Sequence, residues 1–226
     1  MLASDPESRD AREMLAAVAL NRGDLDEALA QSRRAGRASE AFRRDLGRAL
    51  AAQGRTGEAL ELLQGDKGSP AEPATLNAMA VTLLDAGRPA EAAEVLGRIL
   101  AAHPDNARAH ELLGVASLRL GQPQQARVHL ERALAIDRRL PAAWTTLGVA
   151  LFELEGPEAA LAAWRQALAL DGTQYDALLN VGLVAAKSGR RDEARQALRQ
   201  FVSTAPPQRF GPDIAKAQQL LKEIGG

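Results

Sequence analysis

The chain has no cysteine, which excludes disulfides, thiolate metal sites and a cysteine nucleophile. It also has almost no net charge. Its 28 Lys and Arg against 29 Asp and Glu leave −1, so no global field draws it to nucleic acid or an anionic membrane. Aromatic residues are 3% of the chain, too few rings for a stacking platform for bases. No apolar run approaches the roughly 20 residues of a membrane-spanning helix. The opening "LASDPES" at residues 2–8 has neither the basic start nor the apolar stretch of a secretory leader. What is present is enough to fold, since 46% of 226 residues are hydrophobic, which rules out wholesale disorder. The expectation is a soluble protein of the cytoplasm or the periplasm, with no nucleic-acid or membrane partner; the Ala and Arg bias points to a GC-rich bacterial source.

Laid against itself, the chain repeats. "HELLGVASLRLGQPQQA" at 110–126 returns as "WTTLGVALFELEGPEAA" at 144–160, 34 residues on. Gly114, Gly148 and Gly182 keep that spacing, with Ala80 one period earlier; so do Ala92, Ala126, Ala160 and Ala194, and Leu96, Leu130, Trp164 and Leu198. Upstream the register loosens, although Gly47, Ala59 and Leu63 keep the internal spacing. Six units follow: 9–39, 40–72, 73–106, 107–140, 141–174 and 175–208.

Each unit reads as two helices. Ala109, Leu112, Leu113, Ala116 and Leu120 recur at helical steps, Gly121-Gln122-Pro123 interrupts, and Ala126, Leu130, Ala133 and Leu134 resume. A glycine past one helix and a proline in the first turn of the next is the usual punctuation, and Pro89, Pro123 and Pro157 share that place. Asp24 with Glu27 offers a capping-box start in the first unit. No alternating β-branched run occurs, so the fold class is all-α. Small residues such as Gly148 and Ala160 mark where paired backbones approach closely.

These columns resemble the tetratricopeptide repeat, whose pattern runs W-x2-L-G-x2-Y, A-x3-F, P. Trp144, Leu147, Gly148, Ala160 and Trp164 carry it best, with Leu151 for Tyr and Gly172 for Pro; Pro104 and Pro206 supply the proline of the third and sixth units. The resemblance implies a right-handed α-solenoid of about six hairpins that binds protein or peptide. Residues 9–72 form two irregular units, with Ser32 and Asp66 in packing columns, and "QGDKGSPAEP" at 64–73 implies a shortened helix, a longer connection and a bend there. Residues 73–208 form four regular units. Residues 209–226 form a capping helix with Ile214, Ala217, Leu220, Leu221 and Ile224 on one stripe and Lys216, Gln218, Gln219, Lys222 and Glu223 opposite. Residues 1–8, with Pro6 where a repeat-ending proline falls, read as the remnant of a preceding repeat or a linker.

No residue set supports catalysis, and the chain is expected not to be an enzyme. His103, His110 and His129 lack ligand spacing, and His110 occupies the place of Trp144, a packing position. No glycine-rich phosphate loop follows a strand, and carboxylates such as Glu91 and Glu94 belong to solvated helix faces. No metal and no cofactor is expected. The resemblance assigns a concave groove to the first helices, lined by Val81, Leu84, Val115, Leu118, Val149, Phe152 and Leu183 with Ala186, and rimmed by Arg108, Arg119 and Lys187. These side chains are expected to merge into one apolar ridge. A second candidate is the basic stretch Arg33, Arg34, Arg37, Arg43, Arg44 and Arg48, suited to phosphate or acidic peptide but interrupted by Glu40 and Asp45. The clamp set of Lys, Arg and Asn found in chaperone-binding relatives is incomplete here. The other functional reading is a non-catalytic C-terminal segment of a larger bacterial enzyme of sulfatase type, in which an upstream domain of the same chain is the partner.

Overall fold

A computed structural model describes residues 8–36, 38–64 and 72–225. Pro6, Arg37, Asp66 and the connection at 65–71 lie outside the described residues. The described residues form thirteen helices and no strand, in two compact units, Met1–Pro104 and Asp105–Gly226. The first unit holds α1 (Arg9–Asn21), α2 (Leu25–Ala35), α3 (Glu40–Ala52), α4 (Thr56–Gln64), α5 (Pro73–Asp85) and α6 (Pro89–Ala102). The second holds α7 (Ala107–Arg119), α8 (Pro123–Ile136), α9 (Pro141–Leu154), α10 (Pro157–Leu170), α11 (Tyr175–Lys187), α12 (Arg191–Thr204) and α13 (Pro207–Gly225). Each unit stacks antiparallel helix pairs, the build of an α-solenoid.

Local chemistry sets the boundaries. Pro73, Pro89, Pro123, Pro141 and Pro157 open their helices, where the missing N–H costs nothing. Elsewhere a side chain caps: the Asp24 carboxylate accepts from Glu27 N at 3.1 Å, and Asn106 Oδ1 accepts from Ala109 N at 2.9 Å. Glu27 does not complete a reciprocal box but accepts from Gln31 Nε2 at 2.7 Å. Gly87 and Gly121, at φ 72° and 70°, take the left-handed conformation that reverses the chain inside a hairpin. There Gly87 N donates to Leu84 O and Arg88 N to Leu83 O, the paired bonds of a Schellman turn. Helix α4 is short, nine residues.

Within a hairpin the small column meets the bulky one. A Cβ on Gly182 would stand 2.5 Å from Leu198, and one on Gly114 or Gly148 would overlap Leu130 or the Trp164 indole. Gly47 is looser, with Leu63 at 3.0 Å. The space over Gly148 is filled from one turn beyond Ala160, by Trp164. Its Nε1 donates to Thr145 O at 3.0 Å, so the ring is bonded as well as buried.

Between hairpins, second helices pack on the following first helices. Leu130 and Leu134 of α8 join Ala143, Leu147 and Ala150 of α9, and Leu25, Ala28 and Leu29 of α2 join Phe42, Leu46 and Leu50 of α3. The last helix begins at Pro207, two residues before the expected boundary. Phe210 is buried edge-on to Phe201 with centroids 5.6 Å apart. Ile214, Ala217, Leu220, Leu221 and Ile224 turn to the same core, while Arg195 Nη2 donates to Ile224 O at 2.7 Å, satisfying a terminal carbonyl.

Helical glycines should divide by what stands over them. Gly97 has nothing within 4 Å of a built Cβ, so Gly97→Ala should stabilise by about 0.5–1 kcal/mol through helix propensity. Gly148→Ala should destabilise by about 1–3 kcal/mol despite the same propensity gain, because the rigid indole has to move. Urea unfolding followed by circular dichroism reads both; equal shifts in the two variants would contradict the packing.

Candidate functional site

The expected groove residues divide between the units. In the second, α7 packs beside α9, and Val115, Val149 and Leu183 stand at matching places on α7, α9 and α11, each half-buried. One turn later come Leu118 and Ala186, half-buried, and Phe152, 45% exposed. Phe152 is propped from below by Trp164, centroids 6.3 Å apart. A large ring held in place yet open to solvent is unusual for a core residue.

The rim is less free than its charges suggest. Arg108 is tied at 2.7 Å to Glu111, whose side chain is buried. Arg119 and Lys187 lie in the last turns of α7 and α11, where cations complement the helix dipole. In the first unit Val81 is half-buried, but Leu84 is 3% exposed. That position is core, a correction to its place in the expected groove lining: Leu83 and Leu84 are both enclosed where α5 turns into Gly87.

The basic stretch is mostly neutralised. Arg33 pairs with Glu61 at 3.1 Å, Arg48 with Asp45 at 2.5 Å, Arg43 with Glu40 at 3.4 Å, and Arg44 with Glu72 at 3.5 Å and Glu40 at 4.0 Å. Arg34 is exposed on α2, and Arg37 lies outside the described residues. Two carboxylates that sequence proximity does not reveal, Glu61 and Glu72, take up the charge from α4 and from the start of α5. Glu40 is the centre of a further network, because it also accepts from the hydroxyl of fully buried Thr75 at 2.8 Å.

Sequence reasoning missed two features. One is an open hollow of ≈ 570 Å³ in the first unit, floored by Met14, Ala17 and Phe42 and edged by Asp10, Glu13 and Asp45. Its signal was weak, because Glu13 reads as an ordinary surface residue yet accepts from Ser39 N at 3.2 Å where α3 begins. The other is the meeting of His110 and His129, whose Nδ1 atoms are 3.2 Å apart. Burial, and then the neighbouring His110, push the His129 pKa below its ordinary value. Among the described residues no three His, Cys, Asp or Glu side chains gather as a metal site, and no helix is long and apolar enough to cross a membrane.

Family models described as tetratricopeptide repeat match residues 10–34, 50–116, 83–150 and 145–209. The chain belongs to the tetratricopeptide repeat family. Proteins of this family are in general non-catalytic scaffolds for protein–protein interaction. No curated protein matches the chain. Among solved structures, TTC0263, a tetratricopeptide repeat protein of Thermus thermophilus, is 25% identical with a TM-score of 0.68, covering 81% of this chain and 99% of that one. PilF of Pseudomonas aeruginosa is 22% identical at a TM-score of 0.69, covering 93% and 96%. MamA of Desulfovibrio magneticus RS-1 is 22% identical at 0.61, covering 74% and 96%. The last two likenesses carry the fold alone. Within this tetratricopeptide repeat chain, four arginines of the basic stretch are paired with carboxylates, whereas Phe152 on α9 stands open to solvent.

Glu40→Ala should destabilise the first unit by about 1–3 kcal/mol, because it strips Thr75 and Arg43 of a partner in a partly buried place. Arg34→Ala, at an exposed position, should stay within about 0.5 kcal/mol of the parent. Urea midpoints compare the two directly, and an inverted order would refute the network.

Proposed function

We propose that the strip on α7, α9 and α11 takes up an amphipathic helix or an extended apolar segment of a partner protein. Val115, Leu118, Val149 and Leu183 form its floor, Phe152 its anchor, and Arg108, Arg119 and Lys187 its rim. The observation that carries this reading is Phe152: a phenyl ring 45% exposed at mid-column, seated on Trp164 and flanked by half-buried aliphatic groups. Burial of such a ring contributes about 25 cal/mol per Å² of apolar area, and large aromatic anchors of this kind dominate interfaces. Rim cations would then orient a segment carrying acidic residues beside its apolar ones.

Replacing Leu118 and Phe152 together by Ser should lower partner capture at least tenfold, about 1.4 kcal/mol or more, and leave helicity and the unfolding midpoint nearly unchanged. Val128→Ser, at a side chain 64% exposed on α8, should leave capture intact. Undiminished capture by the double variant, or loss of its fold, would overturn the assignment; the second result would make Leu118 and Phe152 structural.

A further inference from the structure

His110 stands in α7 and His129 in α8, the two arms of one hairpin. The column of His110 holds Leu76, Trp144 and Leu178 in the other regular units, and that of His129 holds Val95, Ala163 and Ala197. Only this unit puts an ionisable ring in both columns, and the two rings meet. Their centroids are 5.5 Å apart and their Nδ1 atoms 3.2 Å apart. The difference is one ring radius at each end, so both nitrogens lie on the line joining the rings and point at each other. That is the geometry of an N–H···N hydrogen bond, in which one ring donates from Nδ1 and the other accepts at Nδ1. A bidentate metal site would instead need the two lone pairs to converge off that line.

We infer that His110 and His129 form a proton-operated clasp: sharing one Nδ1 proton they hold α7 to α8, and with both rings charged they press the two helices apart. A first added proton keeps one donor and one acceptor if it enters at Nε2 of the donating ring; the next places two N–H groups head to head with like charge. Several charges beside the pair are engaged elsewhere. On α7 Arg108 is engaged by Glu111; on α8 Arg127 is engaged by Glu131 and Glu155, and Arg132 by Asp105. Arg119 and Glu153 stand near the ends of α7 and α9, and Asp137 faces Arg139 in the turn between α8 and α9. The influences on His129 are burial and His110.

The sign is fixed by the direction of that shift. A histidine held below its unfolded value of about 6.5 binds protons more readily in the unfolded chain, so its share of stability is present above that pH and is lost as pH falls through and below it. Because α7 also carries Val115 and Leu118, acidification would loosen the helix that supplies part of the apolar strip, although the clasp itself does not depend on any partner.

The test uses the whole chain. The variant His110→Leu with His129→Val copies the pair that the third unit carries at Leu76 and Val95. Between about pH 7.5 and about pH 5 the urea midpoint of the parent should fall further than that of the variant, in which the carboxylates remain as they were. Independently, ¹⁵N imidazole spectra of the parent at neutral pH should show one ring protonated at Nδ1 and the other at Nε2. Parallel pH dependence in parent and variant would overturn the clasp. So would two Nε2–H tautomers, or a rise in the parent's midpoint on adding zinc alone, which would make the pair a metal ligand set. Should the variant fail to fold, the tautomers of the parent decide.

Discussion

The structure depends on one contact made repeatedly: a residue with little or no side chain on a first helix, covered by a bulky one on the second. Where Gly114, Gly148 and Gly182 lie under Leu130, Trp164 and Leu198, the backbones come close enough for the two helices to bury their facing sides against each other. Everything else follows from that closeness. The outer side of each second helix is left for the next hairpin, so Leu130 serves its own glycine and also belongs to the core shared with Leu147. A helix pair of about 34 residues is too small to supply a core alone, and stacking of this kind gives it one. Stability is then a property of neighbours, and side chains not needed for stacking are left over for other uses.

Much of this was legible in the sequence because the determinants are local and periodic. Gly and Pro place the turns of the regular units, and the 34-residue columns separate buried Leu96, Leu130 and Leu198 from the polar faces between them. The stripe on the last helix was readable for the same reason, since Ile214 through Ile224 obey a helical period and find the core they need. Ser32 interrupts the bulky column of the first hairpin in the sequence, and in the structure it is buried there in place of an apolar group.

What was not legible depends on contacts that cross columns. Leu84 and Leu118 share a column, yet one is enclosed and the other half-open, a difference set by the packing around each hairpin and not by the period. The arginines of 33–48 read as one charge cluster, but Arg33 finds Glu61 and Arg44 finds Glu72, each 28 residues ahead. The same interval joins Arg127 to Glu155 and Arg165 to Glu193. Such a spacing is recoverable from sequence only once the stacking of hairpins is known. The histidines read one residue at a time, and a meeting 19 residues apart has no period to announce it.

The Trp164 indole over Gly148 also limits how such a chain can be shuffled by recombination. Leucine covers can shift slightly, and the third hairpin even has Ala80 in the glycine column beside Leu96. A tryptophan has no such play. An exchange that moved α10 alone onto a first helix with alanine at that place would bring two incompatible shapes together, whereas moving α9 and α10 as a block would keep the fit. Viable crossover points for this sequence therefore fall in the links between hairpins, and the hairpin, not the helix, is its unit of inheritance.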